Sequence, residues 1–277
     1  MKSKIYKLIT LTGALFALSQ IVQAVSPPPD GGYPNQNTAD GEDALFSLTT
    51  GAHNAAMGFN ALYSNTTGSY NTAIGSIALF SNTTASYNTA NGVSALYYNT
   101  TGQSNTALGS FAMVFNTTGY SNTATGDDAL KSNTTGNHNT ATGFGALNQN
   151  TTGSSNTATG VAALNNNTTG SFNIALGNSA GFYLTTGSNN IHIGNTGIAG
   201  ETRKIRIGSQ GTQNGTFIAG VRGTNIQSGL PVVIDINGRL GTSTTLQELQ
   251  ATVASLVATV EGQATQIKKL QAALNNQ

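Results

Sequence analysis

Residues 37–198 repeat one pattern of polar and apolar positions: Asn-Thr-Ala-x-Gly-x-x-Ala-Leu-x-x-Asn-Thr-Thr-Gly-x-x. Numbering its positions 1 to 17, position 1 falls at Asn37, Asn54, Asn71, Asn88, Asn105, Asn122, Asn139, Asn156, Asn173 and Asn190, always 17 residues apart. The Ala-Leu step recurs from Ala44-Leu45 to Ala163-Leu164, and the Asn-Thr-Thr step at Asn65, Asn82, Asn99, Asn116, Asn133, Asn150 and Asn167. Gly closes that step everywhere except at Ala85. A fixed period without slippage means that each unit does the same structural job and buries its face against its neighbours. Seventeen residues are too few for a helix pair and suit one coil of a parallel β-solenoid. The pattern predicts two short strands per coil, one at Asn-Thr-Ala-x-Gly and one around x-Ala-Leu-x, with Gly, Asn and Thr at the corners. Ten coils stacked about 4.8 Å apart would span roughly 45–50 Å. Ala at position 3 is expected inside and position 4 (Asp40, Met57, Ile74, Asn91, Leu108, Thr125, Thr142) partly exposed. The last two coils, from Asn173-Ile174-Ala175-Leu176 and Asn190-Ile191-His192-Ile193, put apolar residues at positions 2 and 4.

Past residue 198 the repeat stops and the periods change. Residues 199–245 read as a β-rich neck, with strand signals at Lys204–Gly208, Thr216–Val221 and Val232–Ile236. Asn237-Gly238 between apolar residues is a tight-hairpin signal. Residues 246–277 then follow heptads, with Leu246, Val253, Val260, Ile267 and Leu274 at a, and Leu249, Leu256, Gln263 and Leu270 at d. Four such heptads make a helix of roughly 43 Å. A sustained a/d seam favours a self-associating coiled coil over one amphipathic helix packed on the neck. β-Branched residues at a with Leu at d lean toward dimers, while the Gln263 layer leaves a trimer open.

The chain's start has a different character. Lys2, Lys4 and Lys7 precede an apolar run from Leu8 to Leu18, and Val22 and Ala24 place small residues before a cleavage point. Residues 1–24 are therefore expected to be a secretory signal peptide, with the protein exported to the periplasm, the cell surface or the medium. Residues 25–36 hold Pro27, Pro28, Pro29 and Pro34 with Gly31 and Gly32, an extended spacer. No later run is long enough to span a bilayer.

Composition narrows the chemistry. Of 277 residues only 8% are charged, the net charge is +1, and Cys is absent. That excludes disulfides, thiolate metal sites and a Cys nucleophile. The charges are too few and scattered for a nucleic-acid footprint. Between Gly51 and Ile198 the ionisable acids and bases other than His are Asp127, Asp128 and Lys131. Like charges stacked at strand spacing would repel on every coil, whereas Asn and Thr ladders can hydrogen-bond to their copies. Ala and one Leu per coil make a thin core, so lateral association of chains is expected to bury a second face.

The Asn-Thr-Ala-Ile-Gly and Asn-Ile-Ala-Leu-Gly segments resemble the Ser-Val-Ala-Ile-Gly-type repeats in the heads of trimeric autotransporter adhesins (YadA-like heads). The resemblance covers Asn37 to about Ile198. It implies a left-handed parallel β-roll with three chains side by side on a coiled-coil stalk. Residues 207–242 are also similar to the segment before the intramolecular chaperone of tail-fibre-type surface proteins. No counterpart of that chaperone, or of the family's C-terminal membrane anchor, is recognisable in the sequence.

Candidate chemistry is sparse. His53 and His138 share position 17, five coils apart, too far for one metal ion. His192 stands where other coils have Ala and is read as a cap on the end of the roll, with convergence of three copies on an ion as the other possibility. Asp127, Asp128 and Lys131 read as one solvated charged corner. The Asn-Thr-Thr sequons, and Asn214-Gly215-Thr216, read as corner chemistry rather than glycosylation sites. No cofactor, metal or catalytic residue is expected. The leading function is an exported adhesin-like protein, a homotrimer binding matrix protein, glycan or another cell surface. A structural spacer or tail-fibre-like subunit without its own ligand comes second, and ice- or crystal-surface binding through Thr ladders third.

Overall fold

The computed structural model describes residues 34–209, 212–213, 232–234, 240–242 and 244–274. Met1–Asn214 and Gly215–Gln277 form separate compact units, and each is described by itself. The expected signal peptide, the spacer before Pro34, the strand expected at Thr216–Val221 and the Asn237-Gly238 turn lie outside the described residues.

The first unit is a parallel β-solenoid. Its strands are β1 Thr38–Asp40, β2 Ala55–Met57, β3 Thr72–Ile74, β4 Thr89–Asn91, β5 Thr106–Leu108, β6 Thr123–Thr125, β7 Thr140–Thr142, β8 Thr157–Thr159, β9 Ile174–Leu176, β10 Ile191–Ile193 and β11 Ile205–Ile207. They form a single 11-stranded sheet in chain order. Up to β10, residues at equal repeat positions pair, as Ala73 with Ala90 and Ala141 with Ala158. The last step is shorter and sets His192 against Arg206. The strand signal at Lys204–Gly208 is thus β11, and the sheet runs past Ile198 into the segment read as neck. Successive strand residues face opposite sides. The Ala at position 3 is buried in every strand from β1 to β9, and positions 2 and 4 point away from the core.

The Ala-Leu segment is not the second strand that the pattern predicts. Each coil has one strand, and around Ala-Leu the chain alternates between positive and negative φ. In one coil Asn60 has φ 55° and Leu62 φ 53°. Ala61 N–H closes a tight turn on the Gly58 carbonyl at 3.2 Å, and Asn65 N–H another on the Leu62 carbonyl at 3.1 Å. This geometry turns both Ala61 and Leu62 fully inward, which a strand cannot do with adjacent residues. A left-handed φ costs a residue such as Leu roughly 1–2 kcal/mol. Burial of the Leu and the inter-coil hydrogen bonds offset it. The corner pairs with its copies as a strand would: Leu62 N–H donates to the Ala78 carbonyl at 3.0 Å and Ser64 N–H to the Phe80 carbonyl at 3.0 Å. Position 5 is Gly because φ there lies near 130° and a side chain would meet the next coil's backbone, as a Cβ on Gly58 would lie 2.7 Å from the Gly75 carbonyl.

Two ladders of buried Asn flank the Ala and Leu core. At position 12, Asn82 Nδ2 donates to Asn65 Oδ1 at 2.9 Å and to the Ala85 carbonyl at 3.0 Å. At position 1, Asn71 donates its backbone N–H to Asn54 Oδ1 at 3.0 Å and Nδ2 to the same Ala85 carbonyl at 2.8 Å. The carbonyl at position 15 therefore joins the two ladders in the coils that carry Asn at both positions. Leu48 and Leu184 replace Asn at position 12 in the first and ninth coils, so the ladder ends against apolar residues at both ends. Asn167 Oδ1, next to Leu184, is left without a partner.

Position 15 has little room. A Cβ at Gly136 would lie 2.3 Å from the Gly153 carbonyl oxygen and 2.4 Å from Asn133 Oδ1. Ala85 carries such a Cβ, and the adjoining Thr83 N–H to Thr100 carbonyl bond is 3.3 Å, against 2.9 Å for the same step at Thr66 and Thr134.

The second unit holds an antiparallel pair, β12 Val232–Ile234 and β13 Leu240–Thr242, with Val233 opposite Gly241. Its helix, α1, runs Thr244–Leu274. Of the seam residues, Leu249, Val253, Leu256, Val260, Ile267, Leu270 and Leu274 are all more than half exposed, and Gln263 is exposed as well. The Leu246 side chain lies outside the described residues.

Substitution of Asn116 by Ala removes one rung. It strands Asn99 Oδ1, which accepts from Asn116 Nδ2 at 2.8 Å, and takes the acceptor from Asn133 Nδ2. Each buried polar group left unpaired costs about 1–3 kcal/mol. Chemical denaturation of N116A should show a loss of about 2–4 kcal/mol. Gly136→Ala should lower the thermal midpoint through contact with the Gly153 carbonyl and the Asn133 amide, and circular dichroism should still report the solenoid at low temperature.

Candidate functional site

The structure disperses most of the polar residues singled out by sequence. His53 stacks on Tyr70 with ring centroids 4.7 Å apart, while His138 meets Tyr120 edge-on at 5.2 Å. Asp128 pairs with Lys131 at 3.0 Å, and Lys131 Nζ also lies 5.6 Å from the Phe111 ring centre. Among the described residues no three His, Cys, Asp or Glu side chains converge. The sequon Asn residues at position 12 are buried inside the ladder, so their amides are inaccessible in the folded coil.

His192 is the exception, since it sits in a built environment. It occupies position 3, and its imidazole is completely buried. Gly181 stands at position 9 where earlier coils have Leu or Met, and the imidazole takes up that space. A Cβ on Gly181 would fall 3.0 Å from His192 Nδ1, and one on Gly197 2.8 Å from Cε1. His192 Nε2 meets Glu201 Oε1 at 2.8 Å. Glu201 also accepts from Arg206 Nε at 2.8 and 3.0 Å and from the Ile198 N–H at 3.1 Å. The three side chains close the last coil as a neutralised carboxylate–guanidinium pair with a buried imidazole against it. His192 Nδ1 has no partner.

Burial pushes the His192 pKa below its ordinary value, more than the hydrogen bond and charge of Glu201 raise it. A second proton at Nδ1 would have no acceptor. Burial would raise Glu201, but Arg206, the Ile198 N–H and His192 outweigh it and hold the carboxyl below the usual range. The sequence pointed to His192 as a cap. It did not single out Glu201, Arg206 or Gly181 as its partners, although a Gly in place of Leu at position 9 is the complementary irregularity.

The outer faces carry ranks of like side chains. On the sheet, Thr123, Thr140 and Thr157 pair in register beside Thr125, Thr142 and Thr159. Over the last three strands the same face turns aliphatic: Ile174, Ile191 and Ile205 lie beside Leu176, Ile193 and Ile207. This accounts for the changed pattern of the last repeats, since positions 2 and 4 face outward. At position 13 the Thr hydroxyls are engaged by the next coil's backbone, as Thr117 Oγ1 to the Thr134 carbonyl at 3.0 Å. Position 14 is an exposed Thr in every coil from Thr50 to Thr186.

Aromatic rings also fall into ranks. Phe46, Tyr63, Phe80 and Tyr97 at position 10 stack with successive centroids 5.1 Å apart. Inside that stack the ring faces cover one another. At position 11, Tyr98 and Phe115 stack at 5.6 Å, bracketed by Ser81 and Ser132. These four residues and Thr100, Thr117 and Thr134 of position 13 line an open groove of about 520 Å³.

The chain matches no protein-family model, no curated protein and no solved structure.

The His192 arrangement has a definite pH signature. A lowered folded pKa means that neutral His192 stabilises the fold above the unfolded value near 6.5, and that this contribution is lost as pH falls below it. Glu201 acts in the same direction at lower pH. The thermal midpoint of the solenoid should therefore drop between pH 7.5 and pH 5. In His192→Ala, which restores the residue of the other coils, the drop over that interval should be smaller. An equal slope in both proteins would remove His192 from this account.

Proposed function

We propose that this chain is an exported, fibrous, adhesin-like surface protein that acts as a homotrimer. The resemblance of its repeats to YadA-like heads is the source of the trimer and of the adhesive role. The supporting observation is the outer surface: uncharged side chains repeated in register along the coils offer the same weak contact many times. Contacts too weak to hold singly add up when they are linked rigidly on one molecule and again across three. Export rests on the basic and apolar pattern of residues 1–24. The exposed seam of α1 supports self-association, because an apolar stripe of this kind is buried when helices pair. The aliphatic grid at the end of the sheet is a second surface that neighbouring copies would cover. Matrix protein, glycan or another cell surface are the partner classes.

A purely structural spacer is the second reading. It is favoured by the fact that each coil bonds only to its neighbours, so coils can be removed without disturbing a distant contact. Ice binding has less support, because one of the Thr ladders it would use, at position 13, has its hydroxyls bound to backbone carbonyls.

Two measurements decide between these readings. Sedimentation of the mature chain should give a trimer, and the chain without residues 245–277 should dissociate at low concentration. Monomer in both would end the assembly reading. In solid-phase binding to matrix proteins and cells, deletion of residues 106–122, one whole coil, should leave the fold intact. An adhesin loses avidity in proportion to coils removed. A spacer shows no binding before or after.

A further inference from the structure

We infer that the groove over Tyr98 and Phe115 is a binding site for a neutral, β-linked sugar chain that crosses the coils, with one pyranose lying on the open face of Phe115. The inference rests on the adhesive reading and names one ligand class and one place for it. Three observations carry it. First, Tyr98 and Phe115 are the rings of position 11 that stack between consecutive coils, and they remain 46% and 44% exposed. Their stack has only two members. Beyond Phe115 the next coil offers Ser132 in place of a ring, so the outer face of Phe115 is open. Rings in the Phe46-to-Tyr97 stack lack that freedom over most of their length.

Second, the floor suits a sugar ring. The position 13 hydroxyls of Thr100, Thr117 and Thr134 donate to the backbone at 3.0–3.1 Å, so toward a ligand they can only accept. The lining is mainly apolar, and Ser132 stands next to the aromatic plate. The flat C–H face of an equatorially linked pyranose meets such a plate well, and its hydroxyls point sideways toward Ser and solvent. Third, no Asp, Glu, Lys, Arg or His side chain lines the groove. A charged polymer would gain nothing there, whereas a neutral one loses no ion hydration. Phe172 is also a large exposed ring, 62% accessible, but it belongs to position 17 and lies outside the groove.

The test is titration of the mature protein with cellohexaose and chitohexaose, followed by amide NMR shifts and calorimetry. Shifts should centre on residues 98–100, 115–117 and 132–134. Phe115→Ala should weaken binding by about tenfold or more, and Phe172→Ala should leave it unchanged. Ser132→Phe provides a variant that keeps the fold, because it adds a third ring to the existing stack. It covers the open face of Phe115, so the shifts at residues 98–100 and 115–117 should be lost while the thermal midpoint holds or rises. Binding that is equal in wild type, F115A and S132F would overturn the site, as would the absence of any shift at millimolar sugar. Attachment to cells measured in parallel separates the two levels. If wild type and S132F adhere equally, the groove is refuted and the adhesive reading stands. If neither adheres and no sugar binds, both fall.

Discussion

In the regular coils a buried side chain has residues of its own repeat position as neighbours, one strand spacing above and one below, and these are in most cases the same residue. That constraint governs the whole first unit. A buried charge would face its own sign on both sides, and a large apolar side chain would find no complementary small one. Ala and Leu satisfy the constraint by packing like on like. Asn satisfies it by chemistry, because its amide both donates and accepts, so each rung bonds to the next. The same amide also satisfies the position 15 carbonyl, which the tight corner would otherwise leave unpaired. Polar burial here is a condition of the repeat, not a defect in the core.

Where the copying stops, the constraint relaxes and different chemistry enters. Leu48 and Leu184 end the position 12 ladder. His192, Glu201 and Arg206 close the C-terminal end with the acid–base groups that the middle coils keep out of their interior. Such a closure is possible only once, since a second His–Glu–Arg set directly below would bring like charges into contact. It also makes the end of the sheet the place where proton concentration acts on stability.

The outward positions are free of this rule, and they vary. Rings, Thr and aliphatics replace one another along a face, yet neighbours in register still influence each other. Aromatic residues fall into stacks whose faces are covered inside and open at an end. A surface of this kind gains binding strength from repetition and specificity from the few coils where a rank is interrupted. The exposed seam of α1 belongs to a separate unit but poses the same question of what covers an apolar stripe. In the proposed trimer, copies of the chain answer it.

Much of this was legible in the residues. The unbroken spacing of 17 announced the solenoid, the recurrent Ala at position 3 announced the inward side of the strand, and the outward position 4 followed from its variety. The Ala-Leu step was misread as a second strand, although two adjacent invariant apolar residues already break a period of two. Periodicity says which residues are inside, and only the backbone dihedrals say how the chain brings them there. His192 could be recognised as irregular from its place in the repeat. Its pairing with Gly181, Glu201 and Arg206 could not, because the final coil is shorter and the spacing no longer predicts who meets whom. Repetition lets local sequence stand for three-dimensional position. At the ends of the repeat that correspondence is gone, and contacts between residues distant in the chain decide the structure.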